Sequence, residues 1–362
     1  MRILELTNYS AGACGVWMRA KQEAEMLAKK GHTVKVFSSN LVKGTNEIAP
    51  EKEKLGQIEI QRFPAKKLGG ESFMIWDFRA EALKFHPEVI IAHSYRHPHT
   101  AKALEVRKKI GCKVFLVTHA PFVSDAQRSL PEKFIVQFYD AFIGPRNLAR
   151  FDKVIAITNW EVPYLEKLGV KKEKIAYIPN GIPSEFFTQK KSKEQNKILF
   201  LGRIAPIKDL ETLVRASKLL PQVKIEIVGP AEKNYFKKLK SLNPNSSVVF
   251  SPPVYDLKKK IEKIDSAKIF VLPSKRESMP QSLIEAMARE KIVIASNNLG
   301  AKELIKDGKN GFLFEIGNEK QLVEKISLAL KNDFREVRGQ ARKSVEQFSW
   351  DKIIQKLEKL FH

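Results

Sequence analysis

Cysteine is scarce: Cys14 and Cys112 are the only two in 362 residues. They form neither a disulfide framework nor a cysteine-built metal site, and a reduced, cytoplasmic setting is expected. No apolar run approaches the roughly 20 residues that span a bilayer. The opening "MRILEL" lacks a signal-peptide pattern, because Glu5 interrupts it and the turn-rich "TNYSAGACG" follows. No repeat of solenoid period runs along the chain. Acids are also in short supply, 41 against 64 Lys and Arg, which leaves a formal net charge of +23. The excess is spread, about +10 over residues 1–183 and about +13 over the rest. A lysine-rich surface, with thermal adaptation behind it, explains this as well as attraction to an anionic substrate or membrane does. Dedicated nucleic-acid binding is set aside, because neither a recognised motif nor basic–aromatic interleaving is present.

What the chain does have is a rhythm of short apolar runs. They are "ILEL" (3–6), "VKVF" (34–37), "VIIA" (89–92), "VFLVT" (114–118), "VIAI" (154–157) and "IAYI" (175–178). They continue with "ILFL" (198–201), "KIEIV" (224–228), "VVF" (248–250), "IFVL" (269–272), "IVIA" (292–295) and "FLF" (312–314). Runs this short and rich in Val, Ile and Phe suit strands buried on both faces. Helical patterns lie between them, so parallel sheets with right-handed crossovers are expected. The rhythm pauses at "IPSEFFTQKKSKEQNK" (182–197), read as a linker. Two α/β domains follow, 1–183 and 184–345, with an amphipathic final helix at about 346–362 crossing back. Such sheets bind ligands beyond the carboxyl ends of their strands, and a cleft between two of them is the expected site.

The strand ends carry the candidate chemistry. Gly12 and Gly15 follow the first run and enter a helix, where amides approach an anion or simply turn the chain. His119 follows "VFLVT" and offers one directed hydrogen bond; His93, after "VIIA", raises the same question with less weight. After "ILFL", Gly202 permits close backbone approach, while Arg203 and Lys208 suit a diphosphate. After "IFVL", "PSKRESMPQSLIEAMA" reads as loop, turn and helix, with Pro280 near the first helical position. Glu277 lies before that turn and Glu285 about one turn inside the helix. A carboxylate accepts two hydrogen bonds from a vicinal diol, as in a ribose or hexose.

In this order and spacing the motifs resemble the retaining glycosyltransferases of family 4, over almost the whole chain. The most specific element is E-x7-E, from Glu277 to Glu285. "GRIAPIKDLETLVRA" is similar to the family's G-R-x-x-x-x-K-G-x-x-x-L-x-x-A, with Asp209 where glycine is usual; "VGP", "PNGI" and "GKNGFLF" fit too. The resemblance implies the GT-B fold of two Rossmann-like domains facing across a cleft. It implies that Arg203 and Lys208 bind the donor diphosphate and that Glu285 accepts from the ribose. Glu277 would contact the transferred sugar, helped by the amides of Ser278, Met279, Pro280 and Gln281. His119 would reach the sugar and Gly15 would lie beside the phosphates. The departures are Cys14, where a second glycine is usual, Ala120, where an acid often follows the histidine, and "SPPVYD" near the expected base pocket.

The implied activity is transfer of a hexose, with retention, from a UDP-, GDP- or ADP-sugar to an acceptor hydroxyl, without a cofactor or obligatory metal. A sugar-nucleotide 2-epimerase and a non-catalytic nucleotide-sugar-binding protein are the alternatives. Tyr95 and Arg128 lie near the expected acceptor side. The apolar stretch 132–150 is read as a core-packing helix in preference to a face for an anionic membrane or lipid-linked acceptor. The second reading would make the protein peripheral on the inner face of the plasma membrane.

Overall fold

A computed structural model describes residues 1–12, 14–69, 73–122, 129–188, 194–243 and 248–362. They form two units, Met1–Asn180 with Trp350–His362, and Gly181–Ser349.

The first unit is built on β1 (Arg2–Thr7), β2 (Thr33–Ser39), β3 (Lys52–Leu55), β4 (Ile58–Phe63), β5 (Ala65–Gly69), β6 (Phe73–Trp76), β7 (Val89–His93), β8 (Lys113–Val117), β9 (Lys153–Ala156) and β10 (Ile175–Tyr177). Eight of these make one sheet in the order β10-β9-β8-β7-β1-β2-β4-β3, with β5 and β6 in a separate hairpin. Every pairing in the large sheet is parallel except β3 with β4. Its central strands are buried on both faces, as their Val- and Ile-rich runs require.

The second unit has β11 (Gln195–Leu201), β12 (Lys224–Val228), β13 (Val248–Ser251), β14 (Ala267–Leu272), β15 (Ile292–Ser296) and β16 (Phe312–Phe314). Their order, β13-β12-β11-β14-β15-β16, is that of a doubly wound α/β sheet. Strand order reverses between β11 and β14, and in the first unit between β1 and β7. Loops leaving such neighbours diverge to opposite faces and open a crevice at the strand ends.

The final helix, Trp350–Glu358, packs in the first unit with Trp350, Ile353, Ile354 and Leu357 inward. Trp350 Nε1 donates to Gln22 Oε1 at 2.9 Å, and Phe361 stacks on Phe115.

Two expectations change. The start of the supposed linker is structured: Ile182 N–H bonds to Phe348 O, and Phe186 is wholly buried in the second unit. Its apolar Phe186 outweighs the polar residues around it. The stretch at 132–150 is not a core helix. Leu130–Phe138 buries no residue, and a π-helical turn, Tyr139–Ile143, follows it. Leu130, Phe134 and Ile135 are 81, 71 and 62% exposed, and Phe138, Phe142 and Ile143 are exposed as well. The apolar residues are too numerous for one stripe, so they wrap round the helix instead of sealing one face.

Candidate active site

In the second unit the turns after β11 and β14 are tied together. Lys275 N–H donates to Ile207 O at 2.9 Å. Across this link Lys208 Nζ donates to Glu277 Oε1 at 2.5 Å, and Ser274 Oγ reaches the same oxygen at 2.6 Å. The Ser274 carbonyl is held by the Ser296 hydroxyl and, at 3.0 Å, by the Asn298 amide. Glu277 is thus fixed by contacts from three strand ends. Gly300 allows this packing, because a Cβ there would lie 2.6 Å from Glu277 O and 2.7 Å from Ser278 O.

Pro280 caps the helix Gln281–Ala288 and leaves Glu285 in its middle. As a proline it has no N–H, so it contributes shape and not the amide expected of it. Ser278 is part-buried and Met279 is buried. Gln281 spends its side chain on Gly181 O at 3.4 Å. Glu285 is almost wholly buried, and burial raises its pKa against the opposing charge of Lys260. Lys260 Nζ donates to its Oε1 at 2.5 Å, while Oε2 is buried with no hydrogen-bond partner among the described residues. A buried acceptor left unmatched is costly and suits an incoming donor. Lys260 lies in the helix Leu257–Asp265, 25 residues before its partner, and no motif flagged it.

Arg203 and Lys208 leave the same strand but have different partners. Arg203 is half-exposed and 3.3 Å from Glu232, so its fork is available to an anion. Gly202 packs its carbonyl against Gly229, where any Cβ would lie 1.9 Å from that oxygen. Asp209 stands in the left-handed region, φ 47° and ψ 45°, and accepts from Thr212 Oγ at 2.7 Å.

The first unit gathers a different set. Gly15 opens the helix Gly15–Lys29, and a Cβ there would meet nothing within 4 Å, so protein packing does not demand a glycine. Gly12 does have a packing role: its φ is 83°, and a Cβ would lie 2.5 Å from Lys43 O. His119 and Ala120 hold φ of 60° and 48°, and Ser94 and Arg96, at the neighbouring strand end, are also positive. Strain of this kind persists only where the surroundings enforce it. Here Glu161 does so, accepting from Thr118 Oγ at 2.6 Å and from the Ile157, Thr158 and Ala120 amides. Burial nevertheless pushes its pKa up to about 7.

Behind His119 lies a buried chain. His119 Nε2 is 2.9 Å from His93 Nδ1, and His93 Nε2 is 2.7 Å from Glu5 Oε2. Glu23 and Arg19 complete the cluster, with Arg19 Nε donating to Glu23 at 3.0 Å. Oxygens of Glu5 and Glu23 and a His93 nitrogen lie within 4.8 Å of one another. Arg19 already supplies positive charge to this cluster, so we assign it no metal. Tyr95 is buried, and its hydroxyl donates to Asp140 at 3.1 Å, which leaves it a scaffold contact. Arg128 lies outside the described residues.

Residues 182–348 match the family described as glycosyl transferases group 1, and residues 14–186 match glycosyltransferase family 4. An uncharacterized glycosyltransferase of Methanocaldococcus jannaschii is 28% identical over 242 residues. That match spans 62% of this chain and 62% of the relative, less than two thirds of either length. Sucrose-phosphate synthase from Thermosynechococcus elongatus superimposes with a TM-score of 0.80 at 20% identity, covering 99% of this chain and 98% of that one. Anabaena HepE in complex with UDP-glucose gives 0.74 at 20% identity, covering 99% and 98%. The fold is therefore GT-B.

Proposed function

Because the chain belongs to the group 1, family 4 glycosyltransferases, we propose that it moves a hexose from a nucleotide-diphosphate sugar to an acceptor hydroxyl with retention of configuration. The observation that carries this is the pair of carboxylates at the β11/β14 switch point. Glu277 is held by Lys208, and buried Glu285 has one unmatched oxygen. A ribose hydroxyl supplies the missing donor, and the diphosphate takes Lys208 and Arg203. HepE, a neighbour of the same fold, is complexed with UDP-glucose, which supports a nucleotide sugar as donor.

In the reaction the acceptor oxygen bonds to the anomeric carbon as the bond from that carbon to the phosphate oxygen breaks. The departing phosphate oxygen takes the acceptor proton on the same face. Negative charge grows on that phosphate, where Lys208 and Arg203 stabilise it in place. Glu277 orients the sugar and opposes the positive charge at the anomeric carbon, so no covalent glycosyl-enzyme is expected.

For the acceptor, the exposed apolar surface over Leu130–Phe138 and the π turn favours a membrane or lipid-linked substrate. Arg146 and Arg150 are exposed nearby in sequence. Apolar side chains with flanking cations suit an anionic interface. Among the described residues no helix is long and apolar enough to cross a membrane. Flotation with anionic and zwitterionic vesicles tests this, and equal binding to both, or to neither, removes it.

The decisive experiment incubates the protein with UDP-, GDP- and ADP-sugars without acceptor or added metal. Binding and slow nucleotide release are measured. Selective binding of one donor, lost in Glu285→Ala, supports the transferase and names the base. Conversion to an isomer identifies an epimerase, and tight binding with no transfer to any acceptor then supplied identifies a sensor.

A further inference from the structure

The wholly buried Glu5, His93, Arg19 and Glu23 are a costly group to keep inside a small sheet-and-helix unit. β1, β7 and β8 are neighbours in the sheet, and they bring Glu5, His93 and His119 into line on the side of helix Gly15–Lys29. From that helix Arg19 reaches Glu23, and it also donates to Ile178 O and Asn180 Oδ1, each at 3.0 Å. Behind His93, the buried His99 ring bonds to the His93 carbonyl at 2.7 Å and fixes the strand end. His97 stacks on His99 and adds its field at His119. Glu5 Oε1 and Glu23 Oε1 meet no N–H or hydroxyl donor and the second terminal nitrogen of Arg19 meets no acceptor among the described residues, while the two carboxyls lie within hydrogen-bonding reach of one another.

We propose that Glu5 and His93 are positioning residues that set the proton order of His119, so that its Nδ1 faces the ligand as a hydrogen-bond donor. Charge balance and the Arg19 contact together choose this order. Two carboxylates share one guanidinium, so one must carry a proton to keep the buried cluster neutral, and because Arg19 bonds to Glu23 the proton falls to Glu5; held between the two carboxyls instead, it would reverse the order. With the proton on Glu5 Oε2, Glu5 donates to His93 Nε2 and His93 Nδ1–H donates to His119 Nε2. That leaves His119 with Nδ1–H. When hydroxide takes the Nδ1 proton of His119 as water, the others shift outward: His93 gives its Nδ1 proton to His119 Nε2, and Glu5 gives its own to His93 Nε2. Both imidazoles stay neutral throughout and Glu5 ends as a carboxylate. Burial favours that neutrality, holding His93 down to about 4 and His119 well below its usual value while raising Glu5 and moving Glu23 up to about 7.

The effect on turnover rests on the transferase reading, but the proton order is read without any substrate. In histidine-labelled protein at neutral pH, a through-hydrogen-bond 15N–15N coupling identifies the His93–His119 pair, and ring shifts report which nitrogens are protonated. Protons on both Nδ1 atoms are expected. Protons on both Nε2 atoms, or no coupling, would overturn the proposal even if the enzyme transfers sugar. With the donor and acceptor in hand, kcat/KM should fall as pH rises through the loss of the Glu5 proton. Glu5→Gln supplies a fixed N–H donor to His93 and should abolish that alkaline limb, whereas Glu5→Ala should cost about 10–100-fold at every pH. An alkaline limb unchanged in Glu5→Gln would also overturn it.

Discussion

Two buried acid clusters, one in each unit, are held in opposite ways. In the first, Glu5 and Glu23 meet one arginine and a line of histidines. Burial dominates there, so both carboxyls are raised, Glu23 to about 7. In the second, Glu226 is also buried, but Lys197, Lys263 and the Ser251 hydroxyl all reach it, and its pKa falls to about 2. Asp265 takes both arms of Arg289 at 2.7 and 2.6 Å, and Glu194 takes Lys291 and Arg338. In these clusters the ratio of cations to carboxylates decides the outcome: at least one cation for each acid fixes the charge, while one shared between two acids leaves a proton free to move. Fixed charges suit the diphosphate proposed for the second unit. Movable protons suit a hydroxyl-facing histidine in the first.

The contrast breaks most visibly at Lys208. Lys208→Ala removes a fixed cation from Glu277 and from the proposed leaving phosphate. Turnover should fall by about 10²–10³-fold, read as nucleotide release in the donor assay. Retained turnover would mean that fixed charge in this unit is structural only.

Stability sharpens it next. Asp265→Ala strands the buried Arg289, which cannot give up its proton, and should cost about 3–5 kcal/mol in urea unfolding with little pH dependence near neutrality. Arg19→Met strands Glu23, but that acid neutralises by taking a proton. Its cost should therefore be smaller at pH 6 than at pH 8. Equal pH dependence in the two variants would erase the distinction.

The signs of the pKa shifts give a finer test. Glu23 is raised, so its contribution is present below its unfolded value of about 4.5 and lost as pH rises through about 7. Glu23→Gln should gain on the wild type over that window. Glu226 is lowered, so its contribution is present above about 4.5 and lost as pH falls towards 2. Glu226→Gln should be penalised at neutral pH, with the penalty shrinking in acid.

Much of this fold was legible because doubly buried strands need uninterrupted apolar runs. Each run read from the sequence is a strand, from β1 to β16. The strands missed are β3 to β6, whose partial burial spoils the signal. β4 alternates buried and partly exposed residues, and β3 exposes its charges. Glu277, Glu285, Arg203 and Lys208 were visible by spacing, and the structure brings Lys208 onto Glu277. The buried relay was not read from sequence, because Glu5 looked like a mere interruption of "ILEL". An acid at the centre of a doubly buried strand needs a partner, and Arg19 and Glu23, four apart on one helix face, were the available signal. Lys260 left no such trace, since its pairing with Glu285 is made only by tertiary packing.

The smallest expected effect concerns a charge of the second unit that the contrast predicts to matter little. Asp209 occupies a left-handed backbone position where the family usually has glycine. Glycine would relieve about 1 kcal/mol of strain. It would forfeit the bond from Thr212, worth about 1 kcal/mol, and add freedom to the unfolded chain. Lys275 is 3.7 Å away and more than half exposed, so that ion pair adds little. These contributions nearly cancel, and Asp209→Gly should stay within about 1 kcal/mol of the wild type. Asp209→Ala keeps the strain and loses the bond, so it should be the less stable of the two in thermal unfolding. If alanine matched glycine, the backbone would not be what selects the residue here, and the carboxylate would have to be counted among the unit's working charges.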